Sequence, residues 1–315
     1  MLEVTNHCNL GCITCPREYG FGQAMDKGTI QLDKMLKVID EVAPYIDSIG
    51  LTGLGETLLY KKLEETLKYI KDKNKGIQTF ISTNAHIPGT ENYIERLAPY
   101  LDTVQISIDG TEKIYEAVRL KSDYSFFISN VQKVAEVCKR LNVAVMFNFV
   151  AVKENYKQMK DVVELAAKFG IQNVNITPVN LSSITAWNTD YYELFYGNDF
   201  KAELEAAYVA AKDFGTVELS VWDIKTKNEF KKCHLPWNHF YVSWDGFMTP
   251  CCAKPFPKEL NFGNVFETSL MECLNSDGYR AFRAMWYKNE TPDFCKKCHV
   301  VDLKPVEIDF NITLN

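Results

Sequence analysis

A chain of 315 residues that is 46% hydrophobic holds enough apolar material for one large domain and a smaller one, and its net charge of -6 is carried without a basic block or an Arg/Lys-rich arm. Phosphate binding needs concentrated positive charge, so no nucleic-acid partner is expected. No run of about eighteen apolar residues occurs and Met1 leads straight into an apolar stretch, so neither a membrane span nor a signal peptide is expected, and the chain reads as cytoplasmic.

In chain order, Leu2 to Thr5 reads as a strand and runs into Cys8-Asn-Leu-Gly-Cys12-Ile-Thr-Cys15, followed by Pro16 and Arg17. Apolar residues at helical spacing then predict a helix over 29–46, a strand over 48–52, a helix over 61–75 and a strand over 77–83. A helix over 92–101 follows, then a strand over 103–108 and a long helix over 125–141. The barrel-like pattern closes with a strand over 143–152, a helix over 156–169, a strand over 174–179 and a helix over 199–214. Strands alternating with helices imply a parallel sheet, because each crossover helix returns the chain to the same edge. Ligands of such sheets gather where the strands end, so polar or glycine-rich signals are expected just after each strand.

Those signals are present. Thr52-Gly53-Leu54-Gly55-Glu56-Thr57 follows the second strand, with glycines suited to positive φ and close backbone approach and Glu56 offering a carboxylate. Ser82-Thr83-Asn84-Ala85-His86 follows the third, and Ser107-Ile108-Asp109-Gly110 the fourth, with Arg119 ten residues beyond Asp109. Asn148 and Asn155 lie on and after the fifth. Each is common at a strand end for turn reasons alone. His86 is a candidate acid or base, although a lone histidine at a strand end is more often a surface or supporting residue.

The C-terminal third carries Cys233, Cys251, Cys252, Cys273, Cys295 and Cys298. Phe240 to Gly246 alternates into an Asp245-Gly246 turn, with 247–251 returning as the second strand of a hairpin. Cys295-Lys-Lys-Cys298 is a C-x2-C hook. Cys273, in an apolar helical stretch, and Cys138, on the inner face of a helix, read as core thiols. Ten cysteines in a reducing compartment point to metals or catalysis rather than disulfides.

Three thiols within eight residues make a ligand set one short of a structural zinc site, and an iron-sulfur cluster held by three thiolates would leave one iron open. The residues alone leave open zinc completed by a distant Cys or His, and a zinc site of four thiolates in the C-terminal third. The C-x3-C-x2-C spacing after a first strand resembles the signature of the radical S-adenosylmethionine (SAM) superfamily. That resemblance implies a partial (β/α)6 barrel, TIM-like, in which Cys8, Cys12 and Cys15 hold a [4Fe-4S] cluster whose open iron binds SAM. Many members carry an aromatic residue where this chain has Thr14.

The resemblance extends along the rim. Gly53, Gly55 and Glu56 resemble the GGEP motif that contacts the SAM amino group, with Leu54 and Thr57 departing from it. Asn84 stands in a segment similar to STNG, with Ala85 for glycine, while Ser107 and Asp109 stand in one similar to SIDG near the SAM ribose. Arg119 matches an arginine pairing with the SAM carboxylate, and Asn148 and Asn155 resemble ribose and loop positions. Cys233, Cys251, Cys295 and Cys298 resemble the ligands of one auxiliary [4Fe-4S] cluster in a cysteine-rich domain of the Twitch/SPASM type, with Cys252 left over as a spare or a hydrogen-atom donor. The expected units are 1–215, the barrel, and 216–315, the auxiliary domain.

The activity that the resemblance implies is reductive SAM cleavage, with reduced flavodoxin or ferredoxin as electron donor, and hydrogen abstraction from a substrate C-H bond. The reading preferred is two-electron dehydrogenation of a sugar or aminocyclitol alcohol. Peptide modification by thioether formation, epimerisation or carbon-carbon crosslinking is its rival; against it, the chain opens at the first strand and is expected to lack a leader-binding domain. A non-catalytic metal scaffold is the third reading. Tyr19, Phe21, Trp187, Tyr191, Tyr192, Phe195 and Tyr196 are expected near the barrel loops, as pocket lining or as packing, and the segment over 187–196 stands where a lid would be useful.

Overall fold

A computed structural model describes residues 1–221 and 233–303. Its centre is a six-stranded parallel sheet whose strand order is the chain order. The strands are β1 Ser48–Gly50, β2 Gln78–Thr83, β3 Thr103–Ser107, β4 Ala144–Ala151, β5 Asn173–Pro178 and β6 Glu218–Val221. Helices α1 Leu32–Val42, α2 Leu63–Lys73, α3 Thr90–Leu97, α4 Tyr124–Leu141, α5 Met159–Phe169 and α6 Asn198–Phe214 alternate with them. This is the α/β, partial-barrel architecture expected, with predicted and observed bounds differing by a few residues.

Side-chain alternation explains the layers. In β3, Val104 and Ile106 are fully buried under helices while Gln105 and Ser107 are partly exposed on the opposite face, and β2, β4 and β5 repeat the pattern. The apolar layer merges into one core with the inner stripes of α1 to α6. No described helix is long and apolar enough to cross a membrane.

Two departures from expectation matter. The first apolar stretch forms isolated bridges rather than a regular strand: Leu2 pairs in parallel with Leu51 on one side and with Val242 on the other. β6 was not foreseen and carries the sheet to Val221, past the boundary expected at residue 215, so that division falls inside the parallel sheet. The hairpin is present, as β7 Tyr241–Val242 and β8 Met248–Thr249 with Gly246 at φ +93°, and Phe247 bridges to Asn264.

The first residues therefore lie between the parallel sheet and this hairpin. The Leu2 amide donates to Gly50 O at 2.9 Å and the Glu3 amide to Val242 O at 2.9 Å. A second tie comes from α1, whose Glu41 carboxylate caps the short helix Leu270–Leu274 by accepting from the amides of Leu270 and Met271. Cys273 and Cys138 are buried, Cys273 against Gly263 and Thr268.

The glycines after β1 are required by crowding rather than by unusual dihedrals, since neither Gly53 nor Gly55 has positive φ. A Cβ on Gly55 would stand 2.3 Å from the Thr5 carbonyl oxygen and 2.6 Å from that of His7. One on Gly53 would meet the Glu3 side chain at 2.5 Å and the Tyr241 hydroxyl at 2.6 Å. At Gly11, inside the cysteine loop, nothing lies within 4 Å. Gly55→Ala should therefore cost the apoprotein about 2 kcal/mol or more in thermal unfolding, because a backbone neighbour cannot rotate away, while Gly11→Ala should leave the transition in place. Equal melting temperatures for the two variants would show that the loop does not need this contact.

Candidate active site

The cysteine loop is held from three sides. Gly11 and Cys12 pair antiparallel with Leu120 and Arg119, a two-residue ladder that the sequence did not announce. The Glu56 amide donates to His7 O at 2.8 Å, and the Asn9 side chain donates to His86 O at 2.9 Å. The loop is thus seated on the turns after β1 and β2 and on the segment after β3.

The ladder places Arg119 directly behind Cys12, with Nη1 3.9 Å from the sulfur. Its Nη2 lies 2.8 Å from Asp109 Oδ2, an ion pair without the alignment of a hydrogen bond. Asp109 Oδ1 accepts from the Val150 amide at 2.8 Å. Burial pushes the Asp109 carboxyl up, opposed by the guanidinium and by that amide, while Arg119 stays protonated. Asp109 is fully buried, with its carboxylate turned to Arg119.

Asn84 serves Cys8 as Arg119 serves Cys12. Its Nδ2 lies 3.7 Å from Cys8 Sγ and donates to Asn9 Oδ1 at 2.9 Å. Glu56 holds it there: Oε2 accepts from the Asn84 amide at 2.7 Å, and Oε1 accepts from Thr83 Oγ1 at 2.8 Å and from the Leu58 amide at 3.1 Å. The carboxylate expected to face a ligand is instead a buried clasp, and burial pushes its carboxyl up. Ala85, at φ +52°, takes the left-handed conformation that glycine prefers, pinned by Asn130 Nδ2 on its carbonyl at 2.9 Å.

Two further expectations are redirected. Asn155 is consumed internally, donating to Val150 O and Asp109 O and accepting from the Val152 amide. His86 Nε2 accepts from the Asp123 amide at 3.0 Å and its ring packs edge-on to Phe126, so it steadies the start of α4. Burial lowers its pKa, which keeps it neutral as an acceptor.

The partly exposed face of the sheet carries a polar row. Ser107 on β3, Asn148 on β4, Asn175 on β5 and Ser220 on β6 share one register line. Asn175 Nδ2 donates to Asn148 Oδ1 at 2.8 Å, and Ser220 Oγ lies 3.3 Å from Asn175 Oδ1. One register below, Ser82 donates to Gln105 at 3.0 Å. Asn175 and Ser220 were missed, although Asn173, Asn175 and Thr177 alternate with Val174 and Ile176 as a half-polar strand should.

The cysteines of the second set lie close enough to influence one another. Cys233 and Cys298 both act electrostatically on Cys295, Cys298 acts on Cys251, and burial pushes Cys295 and Cys298 up to about 12. Cys252 lies beside Cys251, the Met1 amino group and Tyr241, at the joint between hairpin and first residues. Among the aromatics, Tyr192 and Phe195 are buried packing, while Trp187 and Tyr191 stack at 4.6 Å beside a cleft of about 340 Å³ that Lys297 also lines. Tyr191 accepts from the Lys153 amide and Tyr192 donates to Lys297 O at 2.6 Å, so this segment joins the barrel rim to the hook. A larger cleft, about 800 Å³, lies at the opposite end of the sheet, where Gln78, Asp102, Ala144 and Asn173 stand at strand starts, and holds none of these groups.

Comparison with known proteins shows the family. The sequence model of the radical SAM superfamily matches residues 2–166, and an iron-sulfur cluster-binding domain of the SPASM type matches residues 233–299. The chain belongs to the radical SAM superfamily. As a member with a SPASM domain it is a radical SAM enzyme that uses SAM, a [4Fe-4S] cluster and auxiliary iron-sulfur. A tungsten-containing aldehyde ferredoxin oxidoreductase cofactor-modifying protein of Pyrococcus furiosus is 25% identical over 98% of this chain and 90% of its own length. A probable GTP 3',8-cyclase of Methanocaldococcus jannaschii is 23% identical over 87% of this chain and 93% of its own. Among solved structures, native anSMEcpe with bound AdoMet superposes with TM-score 0.70 at 18% identity, covering 96% of this chain and 87% of that one. Streptococcus suis SuiB bound to precursor peptide SuiA superposes with TM-score 0.69 at 18% identity, covering 96% and 70%. At such identities these two show the fold.

The residues present fit the cofactors of this superfamily. Arg119 and Asn84 point N-H groups at Cys12 and Cys8, and Arg119 Nε is buried without a hydrogen-bond partner. Burial pushes Cys12 up to about 11 and Cys15 up to about 12, so a bound cluster must displace their protons. A single zinc ion would draw its sulfurs to within about 4 Å of one another, whereas the thiolates of a four-iron cluster sit on separate irons.

Because Asp109 neutralises a buried guanidinium, Asp109→Asn should destabilise the apoprotein by about 3 kcal/mol or more, and the double variant with Arg119→Met should recover much of that loss. Denaturant unfolding of the four members of the cycle checks it; additive losses would deny the pairing.

Proposed function

We propose that this radical SAM enzyme acts on a hydroxyl-rich small molecule held on the polar inner face of the sheet, and that the reaction is two-electron oxidation of an alcohol carbon of a sugar or aminocyclitol. The observation that carries the reading is the row Ser107, Asn148, Asn175 and Ser220, which lines four adjacent strands with short donors and acceptors. Hydroxyls are matched by such groups, each of which both donates and accepts. We assign Cys8, Cys12 and Cys15 to the SAM-binding cluster, and Cys233, Cys251, Cys295 and Cys298 to one auxiliary cluster. Gly53, Gly55, Glu56, Asn84, Ser107, Asp109, Arg119 and Asn148 frame the SAM side of the site. Cys252, held at the domain joint, has no part in this assignment.

When bound, these groups supply a 5'-deoxyadenosyl radical to remove hydrogen and an auxiliary acceptor for the remaining electron. The chain's own part is binding and orientation. Asn148 and Asn175 fix each other's amide planes through one hydrogen bond, so each offers its remaining donors and acceptor in a set direction. Glu56, through its hydrogen bonds, and Asp109, through its ion pair, keep Asn84 and Arg119 aimed at the sulfurs. We assign reduced flavodoxin or ferredoxin as electron source, and place the end of the barrel unit after Val221. A second reading, modification of an organic cofactor, is favoured by the Pyrococcus furiosus relative, whose alignment runs through both units.

The test is isotope transfer. With SAM and reductant, a panel of polyols and aminocyclitols deuterated at carbinol carbon should place deuterium in 5'-deoxyadenosine. Asn175→Leu should reduce that transfer at least tenfold while leaving SAM-dependent background cleavage intact. Transfer from Cα- or Cβ-deuterated peptides alone, with none from any polyol, would overturn the reading in favour of peptide modification.

A further inference from the structure

Behind the auxiliary cysteines lies a buried ion pair that the reaction so far does not use. Lys254, with a side chain 9% exposed, places its ammonium on the Glu259 carboxylate, itself 20% exposed. The same ammonium donates to Phe294 O at 2.9 Å and stands 4.4 Å from the centroid of the Phe294 ring. Phe294 immediately precedes Cys295. The backbone amides of Ala253 and Lys254 face the Cys251 sulfur. One residue thus touches both the Cys251 turn and the Cys295 hook, two segments more than forty residues apart.

The arrangement is costly for a mere brace. A buried ammonium loses hydration and a neutral side chain could bridge the same carbonyl, so the charge itself needs a reason. Glu259 moreover keeps its second oxygen, Oε2, buried without a hydrogen-bond partner, so the carboxylate is only partly neutralised. In a low-dielectric interior such charges act strongly on anything a few ångströms away, and iron-sulfur reduction potentials follow local charge and N-H donors to sulfur.

We propose that Lys254 and Glu259 set the reduction potential of the auxiliary cluster, the ammonium raising it and the carboxylate tempering the rise. The inference rests on the assignment of Cys233, Cys251, Cys295 and Cys298 as its ligands. It makes the pair the control on whether that cluster accepts an electron from the substrate carbon.

The experiment is a redox titration followed by electron paramagnetic resonance on anaerobically reconstituted full chain, with iron counted in every sample. Lys254→Gln should shift the auxiliary potential negative and Glu259→Gln should shift it positive. Lys254→Arg should hold it near wild type, and the SAM-binding cluster should keep its potential throughout. A brace without electrostatic role would shift both loaded single variants the same way or neither of them, and either result overturns the proposal. So does a fully loaded Lys254→Gln at the wild-type potential. If Lys254→Gln does not load, the positive shift of Glu259→Gln decides, and no shift there overturns the proposal. A Cys295→Ala/Cys298→Ala control separates the two claims: unchanged iron and unchanged signals in it refute the ligand assignment itself.

Discussion

Everything in this site depends on a close backbone approach, the turn after β1 lying directly on residues 3–7. Gly55 has no room for a Cβ against the carbonyls of Thr5 and His7, and the Glu56 amide hydrogen-bonds His7 from the same turn. The turn therefore fixes where the cysteine loop starts. Glu3 extends the constraint to the second unit: Oε1 accepts from the Leu54 amide at 2.9 Å and Oε2 from the Trp244 amide at 3.2 Å. Fully buried, with burial pushing its carboxyl up, Glu3 is tolerable only because its oxygens are met by those amides. One short segment thus sets the register of barrel, cysteine loop and auxiliary hairpin together.

A division of labour follows among the polar residues of the rim. Side chains expected to meet a ligand through their charge, Glu56 and Asp109, are buried and spend that charge on neighbours, while Asn84 and Arg119 are left facing sulfur. Buried acids fix orientation well because their rotamers cannot relax into water. The partly exposed face of the sheet is built otherwise, from uncharged amides and hydroxyls on adjacent strands.

Most of the fold was legible because two periodicities, two for strands and 3.6 for helices, follow each other cleanly from Ser48 to Phe214. The cysteine sets were legible because thiols are scarce and their spacing is informative. Four things were hidden for physical reasons. Leu2 to Thr5 looks like a strand but pairs only through isolated bridges, between the sheet and Val242. Arg119 carries no local sign of the two-residue ladder that sets it against Cys12, since that pairing spans more than a hundred residues. The burial of Glu56, Asp109 and Asn155 was hidden because a motif gives residue type and position but not burial. Asn175 and Ser220 belong to the polar row through a register line across four strands, which no single strand displays.

The central claim is that the thiols of Cys8, Cys12 and Cys15 hold a cluster with one iron open to SAM, separate from a second cluster in the C-terminal unit. Iron counting with electron paramagnetic resonance, with and without SAM, on wild type and on a Cys8/Cys12/Cys15 triple alanine variant tests it most directly. The account predicts about eight irons per chain in wild type and about four in the variant, with a SAM-induced spectral change in wild type alone. Equal iron in both proteins, or a SAM response that survives in the variant, would contradict it.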